Sequence, residues 1–290
     1  MDGFKNTMKT TVLLAALGGL FVGVGALLGG RTGAVIGLVL GLVTVGVSFF
    51  TSDKLALRSA GAHLVDEHQA PELHAMIREL ADGAGLPMPR IAVSPAEQPN
   101  AFATGRSPRH AVVCVTNGLL TMLPRDEVRG VLAHELMHVK HRDILIGSIA
   151  AAVATAISFV ANIAMWGALF GGGDDDDGPS PFVLILAAIL APIAASLLQL
   201  AVSRSREYDA DRGAAELIRT GEPLAKALEN IEADAKRAPM AVAPQQAYAW
   251  IHNPLAEAPK PRQGVDLRKL FSTHPSTEDR IHRLRAMSFA

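Results

Sequence analysis

Residues 134–138 read His134, Glu135, Leu136, Met137, His138. On a helix, a spacing of four sets both imidazoles on one face, where they can share a metal ion. Glu135 then lies about 100 degrees round the axis, within reach of a water activated by that ion. This is the chemistry of metal-assisted hydrolysis, in which an ion lowers the pKa of water and a carboxylate takes its proton. A catalytic zinc needs a third protein ligand and an open fourth position. Glu207 and Asp211, in the run Ser205, Arg206, Glu207, Tyr208, Asp209, Ala210, Asp211, are four apart and share a helix face. Glu207 is thus a candidate third ligand, and Asp211 can accept the free ring N–H of a histidine ligand. Taken alone, that segment would read as an ordinary charged helix. The sole cysteine, Cys114, excludes an intrachain disulfide and a multi-thiolate metal site. Its apolar neighbours predict a small buried hydrophobe.

The elements that must position these residues follow from hydropathy and punctuation. Pro124 at a helix start, Asp126 and Glu127 in the first turn and Lys140 and Arg142 at the far end predict a helix around the His134–His138 pair. Upstream, Leu73, Ile77 and Leu80 predict a helix stopped by Gly83 and Gly85. Short strands are expected over residues 90–93 and 111–115. Further helices are expected over 204–219, 223–236 and 275–287, with a proline-rich, lid-like segment over 238–265.

Of the 290 residues, 49% are hydrophobic and mean hydropathy is +0.26, which argues that much of the chain sits in lipid. Uncharged runs at 10–30, 32–52, 144–173 and 179–203 each reach the roughly 20 residues that cross a bilayer. They predict two hairpins, the first turning near Arg31 and the second at Asp174, Asp175, Asp176, Asp177 and Gly178. Glycines every four residues from Gly25 to Gly41 would let helix backbones approach closely. Lys5, Lys9, Lys54, Arg58, Arg142, Arg204 and Arg206 flank the runs on one side, which places both termini in the cytoplasm and the aspartate loop outside. His138 and Glu207 then both lie close to the membrane boundary, and the second hairpin brings the two half-sites together. A net charge of −1 gives no basic field for nucleic acid, which is not expected as a partner.

The motifs HELMHVKHRD at 134–143, SREYDAD at 205–211 and STHP at 272–275, with four hydrophobic segments, resemble the HtpX family of membrane-bound zinc metalloproteases. These are related more distantly to the CAAX prenyl proteases. The resemblance implies a mainly α membrane protein: four transmembrane helices in two hairpins plus a zincin-like α+β cytoplasmic metalloprotease domain with a small sheet. The chain divides accordingly into a hairpin at 1–52, catalytic parts at 53–142 and 204–290, and a second hairpin at 143–203. The resemblance implies one Zn2+ per chain held by His134, His138 and Glu207, with Glu135 as general base and acid and Asp211 in support. Asn100, Ala101 and Phe102, with Ala103, match a stretch resembling the edge strand that holds an extended peptide by β-addition. The implied activity is a zinc endopeptidase of the inner membrane, active in envelope stress, with the lipid bilayer and misfolded or damaged membrane proteins as partners. A CAAX-type prenyl-peptide protease and a non-catalytic zinc sensor or transporter are the alternatives, and Glu135 argues against the last, since binding alone has no use for it. His274, just before a helix that Ser276 and Asp279 would cap, is either a donor to the developing oxyanion or a local packing residue.

Overall fold

The computed structural model describes residues 2–144, 204–237 and 275–289. The second apolar hairpin with its aspartate loop, the segment 238–265 and His274 lie outside the described residues.

The first apolar region forms helix α1, Asp2–Ser59. Its backbone reverses at Gly30, where φ is +58°, a conformation glycine adopts without a Cβ penalty. The two limbs then run back along each other, for a Cβ added at Gly37 would lie 2.1 Å from the Phe21 carbonyl oxygen and one at Gly41 would lie 3.1 Å from Phe21 Cβ. The hairpin expected around Arg31 is therefore present, and Gly37 and Gly41 serve the close approach expected of them. Among the described residues, no helix is long and apolar enough to cross a membrane. The second limb nevertheless exposes Val35, Ile36, Leu38, Val39, Leu40, Leu42, Val43, Val47 and Phe50.

The limb continues past residue 52, and its last turns cover a sheet. Strands β1, His63–Val65; β2, Arg90–Ser94; β3, Ala101–Thr104; and β4, Val112–Thr116 are ordered β1-β2-β4-β3. The central pair β2 and β4 is parallel and both outer pairs are antiparallel. Both strands expected from the sequence are present; β1 is too short to give a periodic signal. Central strands buried on two faces read as continuous apolar runs, and side chains alternate between the faces. Ala92, Phe102, Val112 and Cys114 pack with Leu57 of α1. Ile91, Val93, Val113 and Val115 face the helices.

Helix α2, Pro71–Ala84, ends at Gly85 in the left-handed region, as the glycines predicted. A short helix α3, Asn117–Met122, is capped by the Thr116 side chain, which accepts from the Leu119 N–H. Helix α4, Arg125–His141, carries the metal-binding motif and is the spine of the domain, with Val131, Leu132, Ala133 and Leu136 fully buried. It packs on α5, Arg204–Ile218, and α6, Glu222–Arg237. Gly130 permits the second contact, since a Cβ there would lie 2.7 Å from the Leu224 backbone nitrogen. Buried Glu127 accepts a 2.8 Å bond from Asn230 Nδ2 across the same interface. The last helix, α7, Thr277–Arg285, starts at Ser276, whose Oγ accepts from the Asp279 N–H as expected. It packs on α6 and α5.

Candidate active site

The site forms where α4, α5, α7 and the edge strand β3 converge. Helix α4 has no gap between 125 and 141, so His134 and His138 stand one turn apart with ring centroids 4.7 Å from each other. Each ring is held from behind by a carboxylate. His134 Nδ1 lies 2.9 Å from Asp211 Oδ1, and His138 Nδ1 lies 3.2 Å from Asp143 Oδ2. With Nδ1 of each ring engaged in this way, the Nε2 atoms face each other at 3.1 Å. Glu207 completes a triangle, with Oε2 3.7 Å from His134 Nε2 and Oε1 3.6 Å from His138 Nε2. A four-coordinate ion with ligands about 2.0–2.1 Å away has ligand–ligand edges of roughly 3.3 Å. One ligand atom from each of the three lies within 4.8 Å of the others, and among the described residues these three side chains form the group able to hold a metal ion.

The electrostatics suit a cation. Burial pushes His134 below its ordinary range, helped by the Arg280 and His138 charges, which favours the neutral ring that a metal requires. Burial would also lower His138, but the Asp143 hydrogen bond and the Glu207 charge outweigh it and hold that ring at about 9. A proton between two facing ring nitrogens and a carboxylate occupies the place that a divalent ion takes by displacing it. Glu135 is 3% exposed, and burial, with Glu207 nearby, pushes it up to about 7 against the opposing influence of His138 and of a hydrogen bond from the Ala103 N–H. An added divalent charge would pull it down again.

Sequence reasoning missed three residues here. Arg280 of α7 is 2% exposed and grips Asp211 with a fork, Nε to Oδ2 at 2.9 Å and Nη2 to Oδ1 at 2.7 Å. Its Nη1 also lies 3.5 Å from Glu207 Oε2. Burial alone would raise Asp211, but the Arg280 charge and the His134 and Arg280 hydrogen bonds hold its carboxyl below the usual range. Asp143 and Arg206 are the other two, 8% and 7% exposed. Nothing local in the final helix singled out Arg280 from Arg283 and Arg285.

The strand expected to hold substrate is the edge strand β3, beside α4. Its three expected contact residues are not equivalent. Asn100 and Phe102 are 1% and 2% exposed. Asn100 pairs with Thr116, its N–H donating to Oγ1 and its carbonyl accepting the Thr116 N–H. Antiparallel alternation then turns Phe102 and Thr104 toward β4, and Ala101 and Ala103 outward. The Ala103 N–H that reaches Glu135 agrees with this. The Ala101 N–H donates to Asn100 Oδ1 at 3.0 Å, and the buried Asn100 and Phe102 side chains support the strand from within. Cys114 is fully buried, and burial with the Glu135 charge pushes its thiol up to about 12, an inert state.

Residues 67–288 match the family described as Peptidase family M48. The chain belongs to peptidase family M48. It is 49% identical over 287 residues to a "Protease HtpX homolog" of Syntrophobacter fumaroxidans, covering 97% of this chain and 99% of that protein. It is also 49% identical over 289 residues to one of Thermococcus kodakarensis, covering 99% and 97%. The crystal structure of S. mikatae Ste24p shares the fold, with a TM-score of 0.52 at 18% identity, and this chain spans 97% of its own length and 65% of Ste24p. This M48 chain is a metalloprotease, as the family and the HtpX-type relatives show.

Proposed function

We propose that this protein is a zinc-dependent endopeptidase of the inner membrane that cuts misfolded or damaged membrane proteins. The observation that carries the chemistry is the triangle of two facing Nε2 atoms and the Glu207 carboxylate, with Glu135 beside it. Two imidazoles and one carboxylate are the donor set of many catalytic zinc sites. When bound, zinc supplies a Lewis acid that lowers the pKa of water and polarises a carbonyl. Glu135 takes the proton of the attacking water and passes it to the leaving amine nitrogen. The edge strand at Asn100, Ala101 and Phe102 holds the substrate backbone as an added strand. His274 is the candidate donor to the developing oxyanion, with local packing before Pro275 as its alternative.

The membrane reading rests on the exposed apolar row from Val35 to Phe50. Such a row is far larger than a soluble surface normally leaves uncovered. Charge begins just beyond it with Asp53 and exposed Lys54, and the Arg106 guanidinium sits 5.4 Å above the Phe50 ring. Arg106 lies on the loop leaving β3, so the substrate edge stands near the level where the apolar row ends. Cysteines placed singly at Asp176 and Ala96 test the orientation in intact cells. An impermeant thiol reagent is expected to label the first and spare the second, and the reverse pattern would show the opposite topology.

The activity is tested with detergent-purified full-length protein on an unfolded membrane protein, with a prenylated C-terminal peptide in parallel. Cleavage of the first should vanish with a chelator and return with Zn2+. Exclusive cleavage of the prenylated peptide would assign the narrower CAAX-type specificity. Stoichiometric zinc with no cleavage of either would overturn the protease assignment for these substrates.

A further inference from the structure

We propose that Asp143 and Arg206 form a positioning pair for the metal, with Asp143 orienting His138 and Arg206 holding Asp143. The inference rests on reading His134, His138 and Glu207 as the zinc site. It assigns a task to two residues that the proposed catalytic chemistry leaves unused.

Each histidine of the triangle has the same kind of support. Behind His134 stand Asp211 and then Arg280; behind His138 stand Asp143 and then Arg206. A carboxylate on Nδ1 fixes the tautomer that presents Nε2 to a metal and raises the basicity of the ring. Asp143 reaches its ring by an unusual route. Five residues along a continuous helix would carry it roughly 140 degrees away from His138. Instead the helix ends at Arg142 in the left-handed region, φ +61°, with the Arg142 N–H capping the His138 and Val139 carbonyls. Buried Ile144 packs with Ala111 and Val139 and holds the turn in place. Asp143 is thereby folded back against the ring one turn before it.

Arg206 Nε lies 4.0 Å from Asp143 Oδ1, both side chains being under one-tenth exposed. Arg206 stands in the first turn of α5, immediately before the ligand Glu207. The pair therefore ties the end of the helix bearing His138 to the start of the helix bearing Glu207, the two ends of the chain segment 145–203. It is looser than the Asp211–Arg280 fork. The His138 side chain is correspondingly more open than that of His134, 16% against 1% exposed. His138 is thus the ligand whose orientation depends most on its supporting carboxylate.

The test uses the full-length protein in detergent, with Zn2+ affinity from chelator competition and the visible absorption of the Co2+-substituted form. Asp143→Asn is expected to weaken zinc roughly 10- to 100-fold, the usual cost of losing such a partner. Its Co2+ absorption should change in shape, because the ligand field at His138 changes. Arg206→Met should move both readouts in the same direction by less, and Arg206→Lys should recover part of the loss. Wild-type zinc affinity with an unchanged Co2+ spectrum in folded Asp143→Asn would overturn the proposal and leave Asp143 as a helix-end residue. Should Asp143→Asn fail to fold, Arg206→Met decides, since it loosens the hold on Asp143 without removing the carboxylate, and wild-type zinc affinity with an unchanged Co2+ spectrum in that variant would overturn the pair. Failure of wild-type protein to bind zinc would instead refute the metal site itself, a result separable from either of these.

Discussion

Glu135→Gln is expected to keep zinc at wild-type occupancy and to lose roughly 100- to 10,000-fold in turnover, the usual range for a general base. Glu135 stands outside the triangle of His134, His138 and Glu207, so its amide leaves every ligand in place. The substitution removes the proton acceptor and retains the size and burial of the side chain. Zinc content by metal analysis and cleavage of an unfolded membrane protein check the two halves separately, and a zinc-loaded variant with substantial turnover would sink the base assignment. A pH effect accompanies it. In the metal-free protein the Glu135 carboxyl is pushed from its ordinary value of 4.5 up to about 7. Between those values the folded state binds more protons than the unfolded state, so stability falls as pH rises. Gln cannot ionise, so metal-free Glu135→Gln should match wild type near pH 4 and be more resistant to heat at pH 8. A carboxylate held in a buried site costs stability, a cost that the proposed role of Glu135 would justify.

Arg280→Met is expected to destabilise the fold by roughly 3–5 kcal/mol, because it leaves the Asp211 carboxylate buried without its cation. Asp211 is 1% exposed, so little solvent screening softens the loss. The same change frees the carboxylate that orients His134, so zinc affinity should fall with it. The double variant Asp211→Asn with Arg280→Met separates the causes. Removing both partners leaves no unpaired charge, so the double variant should be more stable than Arg280→Met alone, while zinc remains weak in both. Unfolding of Arg280→Met at the wild-type temperature and denaturant concentration would show that the fork contributes nothing to stability.

Legibility in the sequence follows how local the causes are. His134, Glu135 and His138 could be read because their relation is set by helix geometry within a single turn, and capping signals at Pro124, Asp126 and Glu127 announced that helix. The reversal near Arg31 was legible for the same reason, a single charge between two uncharged runs. Glu207 and Asp211 were identifiable as a pair at helical spacing, but their closeness to the histidines came from the resemblance and from the apolar segment between them. Asn100, Ala101 and Phe102 could be assigned to an edge strand, but how that strand presents its backbone groups could not be read. Which backbone groups of β3 face outward depends on the partner strand, and only the pairing of Asn100 with Thr116 fixes it.

By itself, then, the sequence determined the helix bearing His134, Glu135 and His138 and the apolar hairpin, both written in spacings of a few residues. Tertiary structure alone decided that Arg280, 69 residues from Asp211 and 146 from His134, would be the cation behind the first ligand. In the sequence it stands among Arg283 and Arg285, and all three look like the solvated face of a short helix. Burial separates them: Arg285 stays at the surface on Glu222 and Glu229, while Arg280 is shut in with a carboxylate. Asp143 was hidden differently, because a left-handed helix end brings it to a ring that regular helical spacing would have kept out of reach. Both residues answer the same need. A buried, charged site must be neutralised from outside its own motif, and the chain supplies those partners from wherever packing brings them.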